Sequence, residues 1–138
     1  MAGGARAAAR ILVVTRVSAP RALLLVEDSS GGVLPLTVPG QLVAANATSI
    51  AVGCSASAPT EVTVGDVGIA DAAGVVAVFD GRLSTPTRKL AVRTILGATL
   101  LEVVVPSTDT RVRICANAPA EPTALTIGVA RAAAGVAR

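Results

Sequence analysis

The sequence predicts an all-β protein, an antiparallel β-sandwich of about eight to ten short strands with flexible or short helical termini. Three observations point there. Turn signals recur at near-regular spacing, at Ser29-Ser30-Gly31-Gly32, Pro39-Gly40, Asn46, Ala58-Pro59, Gly65-Asp66, Ala73-Gly74, Asp80-Gly81, Thr85-Pro86, Gly97, Pro106-Ser107 and Ala118-Pro119. The runs between them are short and rich in Val, Ile, Leu and Thr, which leaves no room for long helices. In Thr60-Glu61-Val62-Thr63-Val64 and Thr123-Ala124-Leu125-Thr126-Ile127-Gly128-Val129 the pattern has period two, as a strand with one buried and one wet face requires.

Taken in order, the first expected strand is Ile11 to Val17, a β-branched run broken by Arg16, followed by Ala22 to Glu27 between Pro20 and the Ser-Ser-Gly-Gly turn. Next come Val33 to Val38, closed by Pro39-Gly40, then Ser49 to Cys54 after the Asn46 turn, and Thr60 to Gly65 after Ala58-Pro59. The second half gives Val75 to Ser84, Arg88 to Thr94 after Thr85-Pro86, Thr99 to Val105 after Gly97, Thr110 to Ala116 after Pro106-Ser107, and Thr123 to Val129 after Ala118-Pro119. Alanine is dense at both ends, in Ala7-Ala8-Ala9 and Ala132-Ala133-Ala134, and alanine favours helix if anything does. The domain reading is therefore a flexible N-terminal arm over 1–10, a sandwich over 11–130 and a flexible C-terminal tail over 131–138.

A chain of 138 residues with 52% hydrophobic content suits one domain with a full core. That core is aliphatic, because Phe79 is the only aromatic residue and Trp, Tyr and His are absent. One ring cannot build a platform for stacked bases, each worth roughly 1–3 kcal/mol. Without His, the Ser-His, Cys-His and His-ligated zinc constellations cannot form within the chain. No stretch ends in the Gly-Lys-Ser/Thr of a phosphate loop, and no Gly-x-Ser-x-Gly elbow is present, so the expectation is a non-enzymatic protein without cofactor.

The net charge of +3 has an uneven source. Residues 11–130 hold eight bases against nine acids, a balance of −1, and the excess lies at Arg6, Arg10, Arg131 and Arg138. A folded nucleic-acid reader carries its basic residues as a patch on the domain, so nucleic acid is not the expected partner. The apolar run at Ile11 to Val17 is too short and too interrupted for a signal peptide, and nothing reaches the roughly 20 apolar residues of a membrane span. A soluble, cytoplasmic protein is expected.

Few residues offer chemistry. In Thr110 to Ala116, alternation puts Val112, Ile114 and Ala116 on one face and Arg111, Arg113 and Cys115 on the other. The arginines are then either a wet strand face or, joined by Arg93 from a neighbouring strand, a grip for an anion or carboxylate. Cys54 and Cys115 lie 61 residues apart, a spacing like that of the inter-sheet bridge of immunoglobulin domains. Cys115 falls on the arginine face and no Trp is present to pack on a bridge. The expected state is two free thiols, Cys54 buried and Cys115 acidified and reactive beside Arg111 and Arg113. Asp66, Asp71 and Asp80 fall at expected turns, where aspartate bonds its own backbone, and their spacing is not that of a calcium loop, so no metal site is expected. Glu102 with Asp109 is the remaining candidate acid/base pair. Asn46-Ala47-Thr48 is a formal glycosylation sequon without meaning in an unexported chain.

Two motifs carry a family resemblance. Val26-Glu27-Asp28 ends a strand as an apolar-x-acid-Asp opening does, and Val105-Pro106-Ser107-Thr108-Asp109-Thr110-Arg111-Val112-Arg113-Ile114 follows a Val-Pro-x-Gly-x-Tyr-Arg-Val-Arg-Ile hairpin, with Thr110 in place of the Tyr. Over about residues 22–129 the chain resembles the small all-β domains related to competence protein J, an inhibitor of a DNA-entry nuclease. The resemblance implies a protein-binding sandwich of inhibitor or immunity-like type, whose partner is another protein such as a nuclease or toxin. On that reading Glu27 and Asp28 engage a basic site on the target, and Arg93, Arg111 and Arg113 add contacts. The rival expectation is a structural subunit of a virion or other assembly, binding copies of itself through arms that order on association.

Overall fold

Ten strands build two five-stranded sheets, and the computed structural model describes them over residues 11–37, 40–71 and 76–130. The strands are β1 (Ile11–Val17), β2 (Leu23–Asp28), β3 (Val43–Ala45), β4 (Ser49–Gly53), β5 (Thr60–Asp66), β6 (Val76–Ser84), β7 (Lys89–Thr94), β8 (Thr99–Val104), β9 (Asp109–Ala116) and β10 (Ala124–Val129). One sheet runs β1-β5-β10-β9-β6 and the other β3-β4-β2-β7-β8. Neighbours are antiparallel throughout except β5 and β10, which pair in parallel with Val62 opposite Leu125 and Val64 opposite Ile127. The 3-10 turn Pro20–Ala22 carries the chain from one sheet to the other, and the 3-10 turn Val67–Asp71 follows β5 and packs on β10 and β9 of the same sheet. The arm at 1–10, the tail at 131–138 and the turn at Ala73-Gly74 lie outside the described residues.

The inner faces alternate as the sequence does. Leu24 and Val26 of β2, Ile50 and Val52 of β4, and Leu90 and Val92 of β7 meet Val62 and Val64 of β5, Val112 and Ile114 of β9, and Leu125 and Ile127 of β10, all fully buried. Each such side chain contributes about 1.5–3 kcal/mol by leaving water, so interdigitated branched aliphatics supply the cohesion that aromatics often do elsewhere.

Two expected features differ. Val33 to Val38 is not a strand: 31–37 is irregular and Val38 lies outside the described residues. The reason is local, since the Val33 N–H donates to Thr48 Oγ1 at 2.9 Å and the Val33 carbonyl accepts from Asn46 Nδ2 at 2.9 Å. Side chains of the following turn take the backbone groups that a ladder would need. The sheet edge is made instead by β3, three residues whose two alanines give no strand signal. The second difference is Asp80-Gly81, expected as a turn. β6 runs straight through it, because Gly81 gives room to the Phe79 ring, whose Cζ lies 2.7 Å from where a Cβ would stand.

Candidate partner-binding surface

Glu27, Asp28 and Arg93 come together at the end of β2. In the β2–β7 ladder Glu27 faces Ala91 and Arg93 faces Leu25, so the acid and base are diagonal neighbours on one face. Arg93 Nη1 donates to Glu27 Oε2 at 2.8 Å and to the Asp28 carbonyl at 3.2 Å, Nη2 to the Ser29 carbonyl at 2.7 Å, and Nε to Thr99 Oγ1 at 3.0 Å. Ser49 Oγ donates to Glu27 Oε1 at 3.3 Å. The two side chains are only 15% and 9% exposed.

Asp28 is buried and serves as a clamp. Its Oδ1 accepts from the Thr87 N–H at 3.0 Å and Oγ1 at 2.9 Å, and its Oδ2 accepts from the Ser30 N–H at 2.8 Å and from the Ser30 hydroxyl. Burial pushes its pKa up, but the four hydrogen bonds from Ser30 and Thr87 outweigh it and hold the carboxyl below its ordinary value. Neither carboxylate is presented to solvent.

Arg111 and Arg113 occupy the other sheet. β7 pairs with β2 and β8, while β9 pairs with β10 and β6, so Arg93 does not join them and the three-arginine cluster is not assembled. Arg111 grips Asp80 with both ends of its fork, Nε to Oδ1 at 3.1 Å and Nη2 to Oδ2 at 2.9 Å. Arg82 divides its fork on Asp109, Nε donating to Oδ2 at 2.8 Å and Nη2 to the backbone carbonyl at 3.3 Å. The hydrogen bond from Arg111 is the chief reason the Asp80 pKa lies below its ordinary value, with the charges of Arg111 and Arg113 adding to it against slight burial. Arg113, opposite Asp80 in register, is half-buried. This face of β6 and β9 is a wet strand surface furnished with its own counter-ions.

Neither Cys54 nor Cys115 is in a disulfide, and both are buried. For Cys54 this meets expectation, and burial raises its pKa, with the Thr60 hydroxyl opposing. Cys115 was expected on an accessible arginine face, and at 1% exposure it is not accessible. The 3-10 turn Val67–Asp71 packs over the outer face of β9 and β10, so close that the Val67 Cα lies 2.7 Å from where a Cβ on Gly128 would stand. At 1% exposure the Cys115 thiol is closed to reagents in solution.

Glu102 and Asp109 are engaged on different sheets, Glu102 accepting from the Ser29 hydroxyl and Asp109 from Arg82. Among the described residues no three His, Cys, Asp or Glu side chains gather as metal ligands, and no helix is long and apolar enough to cross a membrane. Two features escaped sequence reasoning. Arg82 and Thr87 carry no motif and become visible only through strand register and the return of the chain to Asp28. The loop Val33-Leu34-Pro35-Leu36 was hidden by its assignment to a strand, yet it exposes Val33, Leu34 and Leu36, the last by 92%.

No family model matches the chain, and no curated protein matches it. Among solved structures, that of ComJ, inhibitor of the DNA degrading activity of NucA, from Bacillus subtilis, matches with a TM-score of 0.67 at 9% identity, covering 91% of this chain and 100% of that one. The chain is thus similar in fold to ComJ, the family that the sequence resembles.

Proposed function

We propose that this chain is a non-catalytic inhibitor that binds a DNA-degrading nuclease and blocks it sterically. The supporting observation is the likeness to a nuclease inhibitor over nearly the full length of both chains. Because residues 11–130 carry a balance of only −1, inhibition works by covering the enzyme rather than by imitating DNA. The contact face in this reading is the outer surface of β6 and β9, with Arg111 and Arg113 as anchors and Asp80, Arg82 and Asp109 setting their orientation; arginine is favoured at interface centres. Glu27, Asp28 and Arg93 contribute by fixing the frame at the end of β2. The reading places the protein in the cytoplasm, a compartment that keeps two thiols such as Cys54 and Cys115 reduced.

The test is to capture the partner from a lysate of the source cell with tagged chain, purify it, and follow plasmid degradation while the chain is titrated back. Activity is expected to fall to background at a fixed stoichiometry, with an unrelated DNase unaffected. Protection against both enzymes would mean that the chain masks DNA, and undiminished activity of the captured enzyme would remove the inhibitor reading altogether.

A further inference from the structure

The described carboxylates are nearly all engaged. Glu27, Asp28, Asp80, Glu102 and Asp109 accept hydrogen bonds, and Glu61 meets Arg16 at 4.0 Å. Glu121 differs: it is exposed, and among the described residues no hydrogen bond or ion pair reaches its side chain. Its backbone is held at φ 47°, in the left-handed region that L residues seldom adopt. The loop around it is braced. Asn117 Oδ1 accepts from the Thr123 N–H at 3.0 Å and the Ala124 N–H at 3.2 Å, the Ser55 N–H donates to the Pro122 carbonyl at 2.9 Å, and Pro119 and Pro122 restrict the backbone between.

Glu121 stands at the rim of an open cavity of about 220 Å³, whose lining runs from Gly40 to Leu42, through Gly53 and Cys54, and from Pro119 to Glu121. Apart from that one carboxylate the lining is aliphatic or uncharged. From Ser29 to Thr60 the sequence holds no Asp, Glu, Lys or Arg, so the facing segments offer no cation to answer it. Gly53 admits Leu42 to the cavity, since a Cβ there would lie 3.1 Å from the Leu42 Cδ1.

We infer that this cavity receives a lysine or arginine side chain of a partner protein, its aliphatic stem lying along Leu42, Gly53 and Pro119 and its cation on the Glu121 carboxylate. Size and charge choose the occupant. Pockets for small molecules run to about 300–1,000 Å³, so this one suits a single long side chain. A lining with one carboxylate and no base matches a side chain that is apolar along its stem and cationic at its tip. An acidic side chain would be repelled, and a purely apolar one would leave Glu121 as it is. The braced backbone fixes the carboxylate before the partner arrives, so little freedom is lost on binding. The inference does not rest on the inhibitor reading, which places its contact on β6 and β9.

The test is a titration of the isotope-labelled full chain with Nα-acetyl-lysine methylamide, its arginine counterpart and its uncharged norleucine counterpart, followed through the amide signals of Gly40, Gly53 and Glu121. A cationic probe is expected to bind with a Kd of about 1–10 mM, as suits one side chain, and norleucine at least about 3-fold more weakly. Glu121→Gln should erase that difference. Glu121→Gly should erase it too while raising the melting temperature, because glycine accepts the left-handed backbone freely. No shift at about ten times the expected constant overturns the inference, as does norleucine binding equally or a preference unchanged in Glu121→Gln. A lower melting temperature for Glu121→Gly would make the carboxylate structural and overturn it equally. Tighter binding of n-pentylammonium than of either cationic probe would assign the cavity to a free amine and remove the protein occupant.

Discussion

The two sheets carry the same device in opposite settings. On one, Glu27 and Arg93 are diagonal neighbours across β2 and β7; on the other, Asp80 and Arg111 are diagonal neighbours across β6 and β9. Both pairs close at 2.8–2.9 Å, yet the first is 9% and 15% exposed and the second 45% and 46%. Local pattern is the same in both places. What differs is the path of the chain beyond the strands: the turn after β2 lays the Asp28 and Ser29 carbonyls over Arg93, whereas the pair of Arg111 with Asp80 keeps nearly half of its side-chain surface in water. An ion pair becomes structural when neighbouring backbone encloses it, as at Arg93, and stays a surface pair where its side chains remain half exposed.

This contrast can be broken at the buried side first. Arg93→Met, leaving Glu27 enclosed without its cation, is expected to cost about 3–5 kcal/mol in urea unfolding, and adding Glu27→Leu should restore most of it. If Arg93→Met were silent, the enclosure would count for nothing. Gly128→Ala forces the Val67 backbone off β10 and should cost about 1–3 kcal/mol, exposing Cys115 to thiol reagents that ignore the unaltered protein. Asp28→Ala is expected to cost a similar amount, about 1–3 kcal/mol, by stranding the Thr87 and Ser30 amides.

Asp28 also predicts a pH dependence. Its folded pKa lies below the ordinary carboxylate value, so its stabilisation is fully present above the unfolded pKa and disappears as pH falls through the folded one. Melting temperature followed downward from neutral pH should therefore drop below about pH 4, and Asp28→Asn should flatten that limb of the curve. The smallest effect belongs to the exposed pair. Arg111→Ala should leave the melting temperature within about 2 °C while, on the proposed inhibitor reading, weakening capture of the partner, a separation that a purely structural role would not produce.

Much of the fold was legible because burial and period two agree. Thr60 to Asp66 alternates in sequence and in burial, and turn residues bracket nearly every strand. The errors arose where one local signal stood for two causes. Val33-Leu34-Pro35-Leu36 is apolar like a strand, but Asn46 and Thr48 claim the Val33 backbone groups first. Asp80-Gly81 reads as a turn, but the glycine answers to the Phe79 ring. For the candidate surface, alternation placed Arg111 and Arg113 on one face correctly. It could not reveal that Arg93 lies in the other sheet, that Asp28 is clamped by Thr87, or that Cys115 is buried on the arginine side of β9, since each depends on strand order or chain return rather than on neighbours in sequence.

The parallel pairing of β5 with β10 sets the order of events during folding. Hairpins such as β7–β8 and β3–β4 join residues close in sequence, whereas Val64 must wait for Ile127, far down the chain, before its ladder can close. Because loop closure over such a separation is slow, this topology places the molecule among the millisecond-to-second folders. Until β10 pairs with it, that flank of β5 presents unpaired backbone groups, so the late β5–β10 ladder is the step that closes an open strand edge.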